Sequence, residues 1–337
     1  MDWFERLTGF RETSYDETRQ RLEVDGCRLR SRVNGKSYGI GELELLSAQT
    51  LRERVNAAGG LPGRIKVAVV SGDVRRLHQL PEYAGALFQV ASQFNLLEMV
   101  SPEVTPEQGV TRYQHDKTQG PACAIAAGAA TIYRNYFVPV GDGVGQTSER
   151  QLDALADLGA ALSEALGRAV ESLWTMRNGY ALCTRAGLDA ITNHLASLTS
   201  EQTDSLRGMS RIGVHSDVEV TDADGAQVPV VSQAFCSALP VAYSRVPSVH
   251  WHAFASLVLE SAYEATLWAA ARNAQRGATN TVLLTRLGGG AFGNNDGWID
   301  GAIRRAIRST AKLALDVRLV SYGQPSRAML QLSGEFA

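Results

Sequence analysis

A glycine-rich turn near the end of the chain is the first place where residue types and spacing point to chemistry. It reads LGGGAFGNN over residues 287–295, after an apolar run and before an amphipathic one. Such a turn brings unpaired N–H groups and the positive end of a helix dipole to a sheet edge, where both favour an anion. Gly288, Gly289 and Gly290 would let the backbone approach a ligand closely. The alternative is that they only permit a tight turn.

Two carboxylates follow the turn at a spacing that could support hydrolysis. Asp296 and Asp300 are four residues apart, so a helix would carry both on one face. A carboxylate placed beside a ligand can act as a general acid or base and so activate water. Acids in a first helical turn also complement the helix dipole after an Asn cap. That explanation is as good as the catalytic one for Asp296 and better for Asp300.

A second polar group precedes a helix of small residues. His115, Asp116, Thr118 and Gln119 stand in the segment GVTRYQHDKTQGPA, and Pro121 is tolerated in a first helical turn. Polar groups just before a helix are well placed to contact a phosphate. A solvated surface loop would have the same composition. Further carboxylates that the sequence does not rank lie upstream, at Glu98, Glu103 and Glu107.

Other reactive residues are weaker candidates. His250 and His252 are two residues apart, which suits metal ligands on a strand, but they stand in a helical run. His215 and Asp217 lack the GxSxG turn of a serine hydrolase. Cys123 stands in PACAIAAG, an apolar context that would raise the pKa of its thiol. No Lys followed by Ser or Thr comes after the glycines, which excludes a P-loop.

Apolar runs identify the strands that must position these residues. Continuous runs at 65–70, 86–91 and 281–287 predict strands covered on both faces, and an alternating run at 315–322 predicts a closing strand. Helical patterns lie between them, including a long helix over 250–276. This alternation predicts an α/β fold, a three-layer sandwich with a mixed, mostly parallel central sheet.

Changes in pattern divide the chain. Residues 1–62 are charged and mixed, and we interpret them as an N-terminal extension of a domain over 63–337. A helical pattern at about 148–210 predicts an inserted helical segment within that domain. The Asp-Gly pair at 224–225 predicts a hairpin turn between two strands.

The composition limits the kind of partner. The 337 residues are 45% hydrophobic and 20% charged, with a net charge of -2, as in a globular protein. Binding to bulk nucleic acid or to an anionic membrane needs a basic surplus, so we expect neither partner. The chain shows no signal-like N-terminus and no uncharged apolar stretch of about 18 residues. Four scattered cysteines predict free thiols in a reducing compartment, and we expect a cytoplasmic protein.

Three segments, in chain order, resemble the macrodomains, a family of ADP-ribose-binding α/β modules. SGDVRRL at 71–77 is similar to the family's Gly-Asp segment, and ALFQVASQFN at 86–95 to the strand and Asn that follow it. LGGGAFGNN resembles the family's second phosphate-holding loop. The family's NAAN and first GGGG loop are replaced here by VASQFN and a longer polar loop. With its insertion, the chain is most similar to ADP-ribosylhydrolases of the poly(ADP-ribose) glycohydrolase and MavL effector types, which implies a macrodomain-like fold.

The resemblance implies ligand-binding roles. Asp73, beside Val74, would accept a hydrogen bond from the adenine amino group, Asn95 would contact the distal ribose, and Tyr322 would stack on adenine. Each of these also has a purely structural explanation, as a turn carboxylate, a strand-end Asn or an exposed Tyr. Phe292 would cover the ribose or simply anchor a core. The loop residues that would hold the diphosphate or flank it are Gly289, Gly290, Ala291, Phe292, Gly293 and Asn294.

The resulting hypothesis is an ADP-ribosylhydrolase that acts on a mono-ADP-ribosylated protein. Asp116 and Gln119 stand where the family has its catalytic loop, and Asp116, Asp296 or Asp300 would position water against the ribose. Paired acids would suit an arginine linkage, because the departing guanidine must be held and protonated. The alternatives are a reader that binds ADP-ribose without cleaving it and a hydrolase of a free NAD-derived nucleotide. The hypothesis requires no metal and no cofactor.

Overall fold

The computed structural model describes residues 1–224 and 228–336. Its strands are β1 (Leu22–Asp25), β2 (Arg28–Ser31), β3 (Ser37–Gly39), β4 (Glu42–Ser47), β5 (Lys66–Ser71), β6 (Leu87–Ala91), β7 (Pro139–Val140), β8 (Gly143–Val144), β9 (Trp174–Arg177), β10 (Tyr180–Cys183), β11 (Arg211–Glu219), β12 (Val230–Cys236), β13 (Thr281–Leu284) and β14 (Asp316–Ser321). Its α-helices are α1 (Trp3–Thr8), α2 (Tyr15–Gln20), α3 (Ala48–Ala57), α4 (Val74–Gln79), α5 (Gln119–Ala126), α6 (Gly128–Tyr136), α7 (Ala156–Leu166), α8 (Val170–Leu173), α9 (Arg185–Ser197), α10 (Ser200–Met209), α11 (Ser248–Gln275), α12 (Asp296–Ser309) and α13 (Arg327–Gly334). Short 3₁₀ turns lie at Pro81–Tyr83, Pro106–Gln108, Thr111–His115 and Val241–Tyr243.

A seven-stranded sheet forms the centre of the fold. Its strand order is β4-β11-β12-β6-β13-β14-β5. β11 pairs antiparallel with both β4 and β12, and every pairing from β12 to β5 is parallel. The predicted mixed, mostly parallel sheet is therefore confirmed.

Helices cover both faces of this sheet. Successive residues of β6, Leu87 and Phe88, point into two different apolar cores, because side chains alternate along a strand. The first core holds α3, α12, α13 and the second half of α11. The second holds α4, α5 and the first half of α11, and continues into α7, α8 and α9. The predicted three-layer arrangement is confirmed. Among the described residues, no helix combines the length and the apolar character needed to cross a membrane.

The predicted strands and helices agree with the structure near the sheet centre. The strands predicted at 65–70 and 86–91 correspond to β5 and β6, and the helix predicted over 250–276 corresponds to α11. The run at 281–287 ends as a strand at Leu284, so its last residues lead into the glycine turn. The alanine-rich helix breaks at Ala127 into α5 and α6, where the N–H of Gly128 donates to Thr221 Oγ1 instead of to the helix.

The N-terminal residues do not form a separate body. β4 is an edge strand of the central sheet, and α3 packs against α11. The alternation of Glu42 and Glu44 with Leu43 and Leu45 suits such an edge, which has one face to bury. α1, α2 and the small sheet of β1, β2 and β3 pack on α6 through a third core. A boundary at residue 62 therefore does not coincide with a boundary in the fold.

The inserted segment at 148–210 is not wholly helical. It contains α7 to α10 but also the antiparallel hairpin β9–β10, so the helical prediction is wrong at 174–183. Asn178 and Gly179 form the two-residue turn, with φ of 46° and 78°. Asn-Gly is a strong hairpin signal, because both positions of such a turn need positive φ. The turn predicted at 224–225 lies partly outside the described residues.

Candidate functional site

A cleft opens where three neighbouring parallel strands, β6, β12 and β13, end at the same edge of the sheet. The strands end at Ala91, Cys236 and Leu284, and α5 begins beside them at Gln119. The cleft has a volume of about 290 Å³ and is lined by these strand ends, the start of α5 and parts of two loops. We call residues 92–100 the Glu98 loop and residues 287–295 the glycine loop. The carboxyl edge of parallel strands is a common ligand site in α/β folds.

Gln119 and Gly120 fix the start of α5 against β6. Gln119 Oε1 accepts a hydrogen bond from the N–H of Ala91 at 2.8 Å, and Nε2 donates to the carbonyl of Gln89 at 2.8 Å. A Cβ on Gly120 would lie 2.0 Å from the Ala91 carbonyl oxygen. Only glycine allows this approach, which places the helix N-terminus at the wall of the cleft.

The glycine loop forms the opposite wall. Gly290, Ala291 and Phe292 line the cleft, whereas Gly289 and Gly293 do not. Asn294 is buried and its Nδ2 donates to the carbonyl of Leu239 at 2.8 Å, which ties the loop to the end of β12. The predicted Asn cap of the next helix is Asn295, whose side chain accepts from the N–H of Gly297.

Asp296 and Asp300 share one helix face, as their spacing predicts, and both contact the same guanidinium. Arg286 lines the cleft and donates to Asp296 Oδ1 at 2.6 Å and to Asp300 Oδ1. The Asp296 side chain is 82% exposed, whereas that of Asp300 is 16% exposed. Asp300 is thus the partner that most restricts Arg286.

Glu98 is the buried carboxylate of the cleft. Its residue is 3% exposed, and Oε1 accepts from Nη2 of the equally buried Arg134 at 3.3 Å. The N–H of Glu98 donates to the Tyr113 hydroxyl at 3.0 Å. Burial raises the pKa of Glu98 to about 7, although the Arg134 charge lowers it. A carboxylate in this state can exchange a proton near neutral pH.

A second cavity adjoins the cleft. Its volume is about 400 Å³, and it shares Glu98, Val100 and Asp116 with the cleft. Its remaining lining comes from the 3₁₀ turn at Thr111–His115 and from Lys117. Asp116 Oδ1 accepts from the N–H of Thr118 at 2.8 Å, which orients the carboxylate. Two carboxylates therefore stand where the two cavities meet.

Three aromatic rings close one end of the cleft. Tyr180 of β10, Tyr243 and Phe292 have ring centroids 5.1 to 5.6 Å apart. All three line the cleft. The rings are inclined to one another by 45° to 76°, so they present both ring faces and ring edges, against which a sugar or a base can pack.

The hairpin tip of the inserted segment holds the Glu98 loop. The N–H of Phe94 donates to the carbonyl of Gly179 at 2.9 Å, and Tyr180 donates its hydroxyl to the carbonyl of Met99 at 2.7 Å. A Cβ on Gly179 would lie 2.5 Å from Asn95 Oδ1, so the contact is closely packed. The inserted segment therefore contacts the candidate site through the Glu98 loop.

Seven predicted ligand residues lie outside the cleft lining: Gly289, Gly293 and Asn294 of the glycine loop, and four residues from other elements. Asp73 caps α4 by accepting from the N–H of Arg75, and Val74 is buried in that helix. Asn95 is buried, and its Nδ2 donates to Gln151 Oε1 at 2.8 Å. Tyr322 is 84% exposed beyond the end of β14. Asp73 and Asn95 use their polar side chains for these structural hydrogen bonds, and the Tyr322 ring lies in solvent.

The rival residues do not gather into a second site. His250 contacts Asp189 at 2.6 Å and His252 lies against Trp298. His215 is buried, and burial lowers its pKa to about 3. Burial raises the pKa of the Cys123 thiol well above its usual range, as its apolar context predicts. Within residues 1–224 and 228–336, no group of three His, Cys, Asp or Glu side chains could hold a metal ion.

Several residues that line the cleft or lie behind it carry at most a weak local sequence signal. Arg134 stands in an ordinary amphipathic helix, and Tyr180 and Tyr243 come from segments far from the glycine loop. Arg286 is the last charged residue before the glycines, and this position alone does not indicate a role. A charged residue inside an apolar run such as that around Arg134 was the one available hint, since buried charges need a partner.

Among known proteins, the chain is similar only to solved structures. No protein-family model matches the chain, and no curated protein matches its sequence. Poly(ADP-ribose) glycohydrolase from Thermomonospora curvata gives a TM-score of 0.43 at 14% identity, covering 96% of this chain and 96% of that one. The Deinococcus radiodurans poly(ADP-ribose) glycohydrolase in complex with ADP-ribose gives 0.44 at 12% identity, covering 87% and 92%. The T. curvata protein bound to the inhibitor ADP-HPD gives 0.41 at 13% identity, covering 95% and 96%.

Proposed function

We propose that the protein binds ADP-ribose in the cleft and hydrolyses an ADP-ribosyl linkage, with Glu98 as the carboxylate that activates water. The observation that carries this proposal is the position of Glu98: buried, paired with Arg134, and lining the cleft opposite the glycine loop. A raised pKa beside a ligand-sized cavity is a combination found at catalytic sites.

The groups that would bind the ligand suit a diphosphate and two sugars. The main chain at Gly290 and Ala291, the start of α5 and the Arg286 guanidinium supply donors and positive charge along the cleft. Phe292, Tyr180 and Tyr243 supply ring surface for a ribose or a base. Ligand sites usually measure about 300–1,000 Å³, so the cleft and the adjoining cavity together have room for ADP-ribose and a leaving group.

The reaction follows from the placement of the two carboxylates. Ionised Glu98 accepts a proton from water as the water oxygen bonds to C1 of the distal ribose. The bond from that carbon to the leaving group breaks, and its electron pair takes a proton from solvent, to which Glu98 then releases the proton that it accepted. Asp116 lies where the two cavities meet and faces the same space as Glu98. Positive charge on the ribose in the transition state is stabilised by both carboxylates.

The proposal also covers the substrate and the residue to which its ADP-ribose is linked. We propose a mono-ADP-ribosylated protein as the substrate, with arginine among the linked residues to be tested. Because Asp296 and Asp300 are both engaged by Arg286, we assign them to holding Arg286 rather than to a departing guanidine. Glu98 takes the role of activating water, for which the sequence offered Asp116, Asp296 or Asp300, and Asp116 is the one of these three that lies beside Glu98.

The test measures free ADP-ribose after incubation with arginine-linked and glutamate-linked mono-ADP-ribosylated peptides and with poly(ADP-ribose). We expect release from at least one substrate, and we expect Glu98→Gln to lower kcat at least about 100-fold while calorimetry shows ADP-ribose binding within about threefold of wild type. Asp296→Asn is the matched carboxylate control and should keep its turnover. Binding without release would make the protein a reader, and no binding would overturn the proposal.

The same assignment predicts the pH dependence of turnover. Water activation needs ionised Glu98, so kcat should rise with pH and reach half its maximum near pH 7, where the pKa of Glu98 lies. A glutamate of ordinary pKa would place this midpoint at about pH 4.3. A profile that is flat between pH 6 and 8 would contradict the assignment.

A further inference from the structure

We propose that Arg134, which lies behind the cleft, is a positioning residue that holds the Glu98 carboxylate in one orientation and in its charged form. The inference rests on the proposed function, because it gives Glu98 its role. Arg134 belongs to α6 and is 0% exposed, so its guanidinium acts on the site through Glu98.

The guanidinium is fixed by groups on several sides. Its Nε donates to the carbonyl of Leu96 at 3.1 Å, and its Nη2 donates to Glu98 Oε1 at 3.3 Å and to Thr131 Oγ1 at 3.0 Å. The Phe235 ring lies 3.8 Å from Cζ. Because a guanidinium is planar and rigid, these contacts together fix the direction of each N–H bond.

One side chain therefore joins both ends of a short, constrained piece of the Glu98 loop. Leu96 has a left-handed φ of 64°, which is uncommon for a residue with a branched side chain. Arg134 bonds to the carbonyl of this residue and to the carboxylate two residues later. Tyr113 fixes the Glu98 main chain from the other side. The carboxylate is thereby held relative to the backbone that carries it.

The pair also explains how a buried carboxylate keeps its charge. Burial alone raises the pKa of Glu98, and Arg134 supplies the opposing charge. Glu98 Oε2 has no hydrogen-bond partner among residues 1–224 and 228–336, so Arg134 is the cation on which the charged form depends. The other titratable or charged groups around the pair are Tyr113 of the 3₁₀ turn, Cys123 of α5, Asp116, His215 of β11 beside Arg134, and Arg112, His115 and Lys117 of the adjoining cavity.

The test compares Arg134→Met, Arg134→Lys and a control. Without the cation, Glu98 should ionise at higher pH, so in Arg134→Met the midpoint of the kcat profile should rise by at least about one pH unit. Turnover at pH 7 should fall at least about fivefold and recover toward pH 9. Arg134→Lys keeps the charge but cannot reach Leu96 and Glu98 together, so its midpoint should stay near that of wild type while kcat falls.

Arg207→Met is the matched control. Arg207 is also largely buried and bonds to Asp204 and Glu260, away from the cleft. It should lower the melting temperature without moving the kcat midpoint, which separates lost stability from lost positioning. An Arg134→Met protein that melts as a folded protein but keeps the wild-type midpoint overturns the proposal. If Arg134→Met does not fold, Arg134→Lys decides: an unchanged kcat overturns the positioning role.

A direct titration keeps this inference separate from the proposed function. Carboxyl ¹³C NMR of Glu-labelled protein reports the ionisation of Glu98, whose signal is identified by its loss in Glu98→Gln. If wild type releases no ADP-ribose, the proposed function fails, but the titration still tests Arg134. A Glu98 pKa that is the same in wild type and in Arg134→Met would then refute the electrostatic part.

Discussion

Arg286 gives the two aspartates of the glycine-loop helix a role that their spacing alone could not identify. The spacing shows that Asp296 and Asp300 share a helix face, which fits catalysis and helix capping alike. The structure adds the guanidinium that both contact. An arginine held by two carboxylates at the wall of a cleft presents its remaining donors in a fixed direction, which favours binding of a diphosphate.

The unequal burial of the two aspartates predicts unequal effects. Asp300→Asn should weaken ADP-ribose binding about tenfold, because its carboxylate is mostly buried and restricts Arg286 most. Asp296→Asn should change Kd by less than about threefold, since exposed ion pairs contribute about 0–1 kcal/mol. Calorimetric titration with ADP-ribose measures both. Equal effects of the two substitutions would show that Arg286 is not held in this way.

The junction of β6 and α5 sets the shape of the cleft at the level of elements. Gln119 extends the hydrogen bonding of β6, and Gly120 lets the helix start touch the strand end. A helix N-terminus and a strand end can only meet this closely where one residue lacks a side chain. The wall of the cleft therefore depends on one glycine inside a helix, where glycine is otherwise unfavourable.

Two glycine-to-alanine substitutions should have opposite effects. Gly120→Ala places its Cβ against the Ala91 carbonyl, so we expect a loss of about 1–3 kcal/mol in unfolding free energy and loss of ADP-ribose binding. Gly301→Ala adds a methyl group to α12 where nothing lies within 4 Å, so we expect a gain of about 0.5–1 kcal/mol. Chemical denaturation measures both, and a stable Gly120→Ala protein that binds ADP-ribose normally would contradict the assigned contact.

Sequence reasoning found the elements that are determined locally. β5, β6 and α11 come from continuous apolar or helical patterns in the sequence. Such patterns predict elements that are buried on both faces, and β6 and α11 are largely buried in the fold. The hairpin β9–β10 was missed because its strands are only four residues long and stand between helical patterns, although Asn178 and Gly179 carried a turn signal. β4 was missed for a similar reason, since an edge strand directly precedes a helix there.

The cleft was predictable only in part. Gln119, Asp116 and the stretch from Gly290 to Phe292 were chosen from sequence and do line it. Glu98 was one of several upstream carboxylates, and its burial by Arg134 is a tertiary contact between segments with no common motif. Pairings of this kind depend on the sheet order, which local patterns do not contain.

At the scale of the whole molecule, His78, His215 and Glu98 are fully buried groups whose shifted pKa values affect stability between pH 5 and 7.5. Burial lowers the pKa of His78 to about 4 and that of His215 to about 3, and it raises the pKa of Glu98 to about 7. An unfolded chain protonates both histidines near pH 6.5, so they make the folded state less stable as pH falls below that value. Glu98 has the opposite effect, because the unfolded chain loses its proton at lower pH than the folded protein. The stability lost through the two histidines as pH falls is larger than the stability gained through Glu98.

We therefore expect the unfolding free energy to fall in acid, and we expect Glu98→Gln to make this fall larger. The unfolding free energy of wild type should be about 1–2 kcal/mol lower at pH 5 than at pH 7.5. Glu98→Gln removes the opposing group, so its loss over the same interval should be about 4 kcal/mol. Urea titrations at the two pH values measure this difference. An identical pH dependence in both proteins would mean that Glu98 does not titrate as assigned.

The strand order also decides when the cleft can form during synthesis. β6 lies between β12 and β13, both of which are translated long after it. At about 5–20 residues per second, a ribosome needs on the order of ten seconds to supply the first of these neighbours. Until then the central strand has no partner on either side, and its apolar residues depend on earlier helices or on a chaperone for cover. The last part of the cleft to emerge is the glycine loop, so a chain that stops before residue 287 contains Glu98 and Arg134 but lacks one wall of the cleft.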